Sequence, residues 1–329
     1  MGRVARAILG ISRREVSFEV RGFPGVEGPA RQHLETSATA FVDGYNGALE
    51  AASVGALEAF LESEIEPSRR GFAYEGAAMA VALQDWTQPW RKARLPKYMS
   101  GRAAGHVYIV HVGVGWAIAR FPFGRERRWL ALEPLYRWLA LDGCGFHEAF
   151  FRPQPTVVRQ QVPAAYQQGY ARKAFDQGVG RALWFYHGGG VEGVARTVSG
   201  FPAERWNDLW SGVGLASAYA GGVSQADLER LSELAGEHRA AVAQGVVFAA
   251  KARVLAGNPT PQLELACRVF LDLEPAAAAA LSDRLGLDLP TEGPEPAYEV
   301  WRQRIQRNFT EREGAAEWST GRALSSVTR

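Results

Sequence analysis

Cysteine, histidine, long apolar runs and an excess of charge are all scarce in this chain of 329 residues, and each scarcity excludes something. Two cysteines, Cys144 and Cys267, cannot build a disulfide framework, and neither sits in a Cys-x-x-Cys pair. A thiolate zinc site is therefore not expected, and a reducing compartment, the cytoplasm, is. The longest apolar stretch, residues 107–119, contains His111 and is short of the roughly 20 residues that cross a bilayer, so no membrane span is expected. Residues 1–16 carry a short apolar patch without a cleavage site, and Arg6 stands where a myristoylation signal has Ser or Thr, so neither an export signal nor a lipid anchor is read there. Thirty-seven Lys and Arg face 35 Asp and Glu, a net charge of +2 that offers nucleic acid no basic field. The glycines of His187-Gly-Gly-Gly190 lack the Lys-Ser/Thr ending of a phosphate loop, and the chain has neither a Gly-x-Ser-x-Gly elbow nor a dinucleotide fingerprint.

What is abundant is apolar and aromatic: 47% of residues are hydrophobic, with 10 Trp, 10 Tyr and 16 Phe, enough for a large core and an aromatic-lined pocket. Few alternating strand patterns occur, and an all-α fold is expected. Thr36 or Ser37 is expected to cap a helix through Phe41, Tyr45, Leu49 and Ala52, and Ser224-Gln-Ala-Asp-Leu-Glu229 to open a capped helix bearing Leu228, Leu231 and Leu234. The tail beyond about Asn308 is polar and aperiodic and is expected to fray.

Laid against itself, the chain shows two similar helical halves. At an offset of 125, Gly44, Tyr45, Val54, Gly55 and Phe60 meet Gly169, Tyr170, Val179, Gly180 and Phe185. Further on, Gly76-Ala-Ala-Met79 answers Gly212-Val-Gly-Leu215, and Gly113-Val-Gly-Trp116 answers Gly245-Val-Val-Phe248. The implied organisation is an N-terminal segment (1–34), two modules (35–151 and 160–287) related by a pseudo-twofold around an apolar pocket, and a C-terminal helix and tail (288–329). Arg152-Pro-Gln-Pro-Thr156 would join the modules, and Asn258-Pro-Thr-Pro261 would break the second. The β-branched run 107–114 would be a strand if taken alone, but its Ala-rich counterpart makes it a helix. Glycines recurring inside helices, each costing about 1 kcal/mol relative to Ala, serve close packing in the first instance and ligand room in the second.

A duplicated scaffold needs its packing twice but one active site, so polar residues present in only one half stand out. Glu75 falls opposite Ser211, and His111 opposite Ala243. A buried carboxyl group and a nearby imidazole would make an acid–base pair, or equally a hydrogen-bonded core pair. In Leu141-Asp142-Gly-Cys-Gly-Phe-His147-Glu148 the glycines would bend the chain and aim Asp142 and His147 at one cavity, although Asp142 equally suits a cap. None of these four has metal-ligand spacing, and neither a metal site nor a cofactor is evident. Tyr74, Trp116, Phe146, Trp184 and His187 complete the candidate site as substrate-lining residues.

The strings Gly71-Phe-Ala-Tyr-Glu75-Gly-Ala-Ala-Met79, His111-Val-Gly-Val-Gly-Trp116-Ala-Ile-Ala-Arg120, Asp142-Gly-Cys-Gly-Phe-His147-Glu-Ala-Phe-Phe151 and Gln177-Gly-Val-Gly-Arg-Ala-Leu-Trp184-Phe resemble the bacterial domain-of-unknown-function 1702 family. Cys144 departs from the aromatic residue that the resemblance leads one to expect. The resemblance implies a role beside enediyne polyketide synthase cassettes, with a conjugated polyene as hydrophobic small-molecule cargo and the synthase and neighbouring cassette proteins as partners. It supplies no reaction: isomerisation, cyclisation, dehydrogenation and non-catalytic carriage or scaffolding are all compatible with it.

Overall fold

The structure, a computed structural model, describes residues 6, 7, 9–88, 93–121 and 123–326, with side chains as far as residue 312. Residues 1–5, part of the segment read for export or lipid signals, lie outside it. Every element among the described residues is helical. Helix α1 (Pro29–Glu50) begins at a proline whose fixed φ suits a first turn, earlier than the cap expected at Thr36 or Ser37. Those two hydroxyls lie inside the helix and donate to the carbonyls of Gln32 and His33 one turn back. Ala51 is extended, so Ala52 falls beyond the helix end. Ser53 caps α2 (Val54–Glu64) by accepting from the Ala56 amide.

The core is a succession of helices, each packed on the next: α1, α3 (Arg70–Thr87), α4 (Val107–Arg120), α5 (Arg137–Phe151), α6 (Tyr170–Tyr186), then the helices Ala203–Tyr219 and Arg239–Leu255. Helix α7 (Val191–Gly200) precedes α8 (Ala203–Tyr219), and α9 (Gln225–Ala235) precedes α10 (Arg239–Leu255). Helices α11 (Pro261–Leu271), α12 (Pro275–Leu285) and α13 (Ala297–Ser326) flank α10. The β-branched run 107–114 is helical, as its Ala-rich counterpart implied, because both faces of α4 are buried between α3 and α5 and tertiary packing overrides the local preference. Ser224 caps α9 in a reciprocal box with Asp227, and Thr260 and Pro261 start α11 after the break. The linker expected at 152–156 is taken up by a π-helical turn, Gln154–Val158. Helix α13 continues into the polar tail as far as Ser326.

One contact explains the glycines. At successive crossings a glycine lies against the backbone of the facing helix, where a Cβ would overlap a carbonyl oxygen: Gly44 on Ala73, Gly113 on Glu75, Gly115 on Ala140, Gly178 on Asp142, Gly180 on Leu209, Gly245 on Ser211. Only a residue without a side chain allows these backbones to close, so the helix penalty of Gly is offset by dispersion along the whole crossing. The same contact corrects the first block of the self-comparison. Gly44 is mid-helix and Gly169 only precedes α6, whereas Gly44 and Gly180 play the same part at an offset of 136, as do Gly76 and Gly212. Element order also repeats, with a long helix, a short one and a long one in α1–α3 and again in α6–α8, and a 3-10 turn before both α4 and α10.

Candidate functional site

The centre of the bundle holds a buried polar group surrounded by rings. Glu75 on α3 is 3% exposed and lines a cavity with Phe41, Trp116, Phe146, Phe150 and Arg181. Its backbone is pressed against Gly113, which fixes α3 on α4 and aims the carboxyl group inward. No cation forms an ion pair with it among the described residues, so burial pushes its pKa up to about 8, aided by Asp142 and opposed by Arg181 and the Trp116 indole. At neutral pH Glu75 is therefore mostly a protonated acid facing an apolar space.

Arg181 does not pair with Glu75 because Asp142 holds it. Asp142 on α5 accepts from the Arg181 guanidinium and, at 2.9 Å, from the Gln177 amide, whose nitrogen also lies 3.1 Å from the Tyr298 hydroxyl. Burial raises the Asp142 carboxyl group while Arg181 pulls it back down, and burial of Arg181 is outweighed by Asp142 and Glu75, which keep the guanidinium above its ordinary value. The pair is fully buried, and the Arg181 guanidinium carbon stands 5.2 Å from the Phe146 ring centre.

The expected bend around Asp142 and His147 does not form: residues 137–151 are one continuous helix, and Gly143 and Gly145 serve its crossings with α4 and α6. Asp142 and His147 accordingly face different surroundings. His147 packs on Trp116 and Phe151 at 5.6 and 5.0 Å between ring centres, lies 3.6 Å from Glu148, and has its pKa lowered by burial. His111 likewise stands apart from Glu75. Its Nδ1 donates to the Val107 carbonyl at 2.8 Å, its ring meets Tyr136, and burial lowers its pKa.

Of the lining residues named from sequence, Trp116 and Phe146 reach the Glu75 cavity, 5.1 Å apart between ring centres. Tyr74 instead stacks on His106 at 4.1 Å and donates to Glu62. Trp184 is sealed in the core, its indole donating to the Gly221 carbonyl at 3.0 Å. His187 ends α6, bonds to Thr197 at 2.7 Å and lines a separate surface cleft; burial lowers its pKa to about 4. Cys144 donates to the Gly115 carbonyl at 3.2 Å. No group of three or more metal-ligating side chains occurs among the described residues.

The residue missed from sequence is Arg181, which borders both the Glu75 cavity and a second one on its other side. Its position directly after Gly178-Val-Gly180 was the available signal, because a cation placed beside a close helix crossing is buried. Ser211, which the self-alignment sets opposite Glu75, donates to Gln244 at 2.7 Å. Through its side-chain oxygen Gln244 joins Arg302, Asp208, Glu299 and Tyr170 in a buried polar network that anchors α13. Glu75 thus has no ion pair, whereas Ser211 is tied through Gln244 to the ion-paired Arg302.

The sequence profile of a family described as a protein of unknown function, DUF1702, matches residues 1–309, which include Glu75, Asp142, Arg181 and the anchoring part of α13. The chain belongs to the DUF1702 family. No curated protein and no solved structure matches it. No helix among the described residues is long and apolar enough to cross a membrane.

Proposed function

We propose that this DUF1702 protein binds an extended conjugated hydrocarbon in the ring-lined cavity beside Glu75 and moves a proton on it. The observation that carries this reading is the unpaired, fully buried carboxyl group of Glu75, with its pKa near 8, opening on an apolar space. Leaving such a group without an ion pair costs several kcal/mol, a cost more readily understood at a reacting centre than in a core. The neutral acid would donate its proton to one carbon of a conjugated chain, and the resulting carboxylate would remove a proton from another. Double bonds shift, nothing is oxidised, and the acid is regenerated. Arg181, fixed by Asp142, would steady negative charge as it develops. This proton chemistry suits isomerisation or cyclisation of a polyketide-derived polyene, the step that the enediyne-cassette resemblance implies, with the synthase and its neighbours as partners. In this reading the chain is a twofold repeat of helices in which one copy would carry the acid and the other the anchor.

A second reading, a carrier that shields the polyene without changing it, is favoured by the placement of His111 and His147, which leaves a single proton-active group in the cavity. An absorbance and mass-spectrometric time course with the conjugated polyene released by the cognate synthase separates the two. A changed chromophore and a new isomer support the proton-transfer reading. A shifted spectrum with the polyene recovered intact supports the carrier, and an unperturbed spectrum contradicts both.

A further inference from the structure

The second cavity lies across Arg181 from the first. It is lined by Tyr108, Val112, Leu139, Tyr219, Tyr298 and Trp301, among others, so α13 forms part of its wall. Three features tie the two spaces together. Arg181 borders both. Helices α4, α5 and α6 contribute to both, and on α4 the neighbouring turns divide between them, with Val112 in one and Trp116 in the other, a rise of about 6 Å. The charges are also balanced, since Arg181 is held by Asp142, Glu75 is mostly protonated, and Lys251, the other cation lining the second cavity, is paired with Asp283 at 2.5 Å, so no free charge is left to attract an ionic ligand.

We infer that the two cavities are the arms of one site that takes a single uncharged, extended hydrocarbon chain past the Arg181 guanidinium. This rests on the reading of the Glu75 cavity given above and extends it, since one arm alone would take only the end of such a chain. Each arm leaves about 30 Å³, room for one or two waters, so a chain enters only as the enclosing rings turn. Each arm carries a reporter of that movement, Trp116 in one and Trp301 in the other. The length of the chain, rather than a charged head group, would set specificity.

The test uses the full chain and two uncharged conjugated tetraenes, the methyl ester of an eighteen-carbon tetraene acid and a ten-carbon tetraene. Binding is followed by energy transfer from tryptophan. The inference predicts one long molecule or two short ones per protein, and a smaller signal in both Trp116→Phe and Trp301→Phe with the long probe. Ala38 lines the Glu75 arm and Ala252 the other, so filling either, by Ala38→Leu or Ala252→Leu, should weaken the long probe at least tenfold, and the free acid should bind at least tenfold more weakly than its ester. The stoichiometry is read on the unsubstituted protein, so it stands even where a variant folds poorly. One short molecule per protein, with the long probe insensitive to Ala252→Leu, would overturn the two-armed site and leave the Glu75 cavity standing. No binding of either probe would overturn both.

Discussion

The Glu75 carboxyl group and the Arg181 guanidinium border the same cavity without forming an ion pair, because Arg181 is already held by Asp142 on the neighbouring helix. That arrangement keeps one carboxylate charged and the other protonated at the centre of an apolar bundle, and most of the protein's expected behaviour follows from it.

Stability should depend on pH through Glu75. Its pKa is about 8 in the fold against 4.5 in its ordinary state, so between those values the folded protein keeps a proton that the unfolded chain has released. Stability from this group is therefore complete below about 4.5 and is lost as pH rises toward 8, on the order of 1.4 kcal/mol per pH unit. Glu75→Gln removes the titration. Denaturant melts of the two proteins across this window should diverge steadily as pH rises, with the glutamine variant favoured at the alkaline end. Parallel curves would contradict the assignment.

Breaking the Asp142–Arg181 pair should be severe. Asp142→Asn or Arg181→Met leaves a buried charge uncompensated and should cost about 3–5 kcal/mol. Combining them should cost less than the sum, by roughly 0.5–3 kcal/mol, in a double-mutant cycle. Strict additivity would mean that the pair is not formed.

The crossing glycines should behave unlike the others. Gly178→Ala places a methyl group on the Asp142 carbonyl and should lose about 1–3 kcal/mol or more. Gly55→Ala on exposed α2 meets only the Ser53 hydroxyl at 4.0 Å and should be neutral or stabilise by up to about 1 kcal/mol. Thermal unfolding of the two variants makes the comparison.

Both thiols should be inert in the folded protein. Cys144 and Cys267 are fully buried, and burial pushes each up to about 12. Iodoacetamide should label neither under native conditions and both in denaturant, as read by peptide mass.

The helical class and the register of Gly76 with Gly212 were legible because packing leaves a periodic trace in sequence. The Gly44–Gly169 match was misleading because a shared Gly-Tyr dipeptide outscored the true crossing position, Gly180. Glu75 was found because the self-alignment sets no ionisable residue opposite it, only Ser211. The expected pairing with His111 does not form, since these residues lie on adjacent helices but face different neighbours, and helix rotation depends on three-dimensional packing. Arg181 escaped for a related reason: arginine is usually a surface residue, and only the closeness of the α5–α6 crossing buries it.

The most direct test of Glu75 as the proton-moving group is deuterium incorporation. The purified protein is incubated with the cognate conjugated polyene in heavy water, and the recovered hydrocarbon is weighed by mass spectrometry. The account predicts uptake of deuterium at chain carbons with the unsubstituted protein and none with Glu75→Gln, both proteins binding the polyene equally. Equal uptake with the glutamine variant, or tight binding by the unsubstituted protein with no uptake, would contradict it.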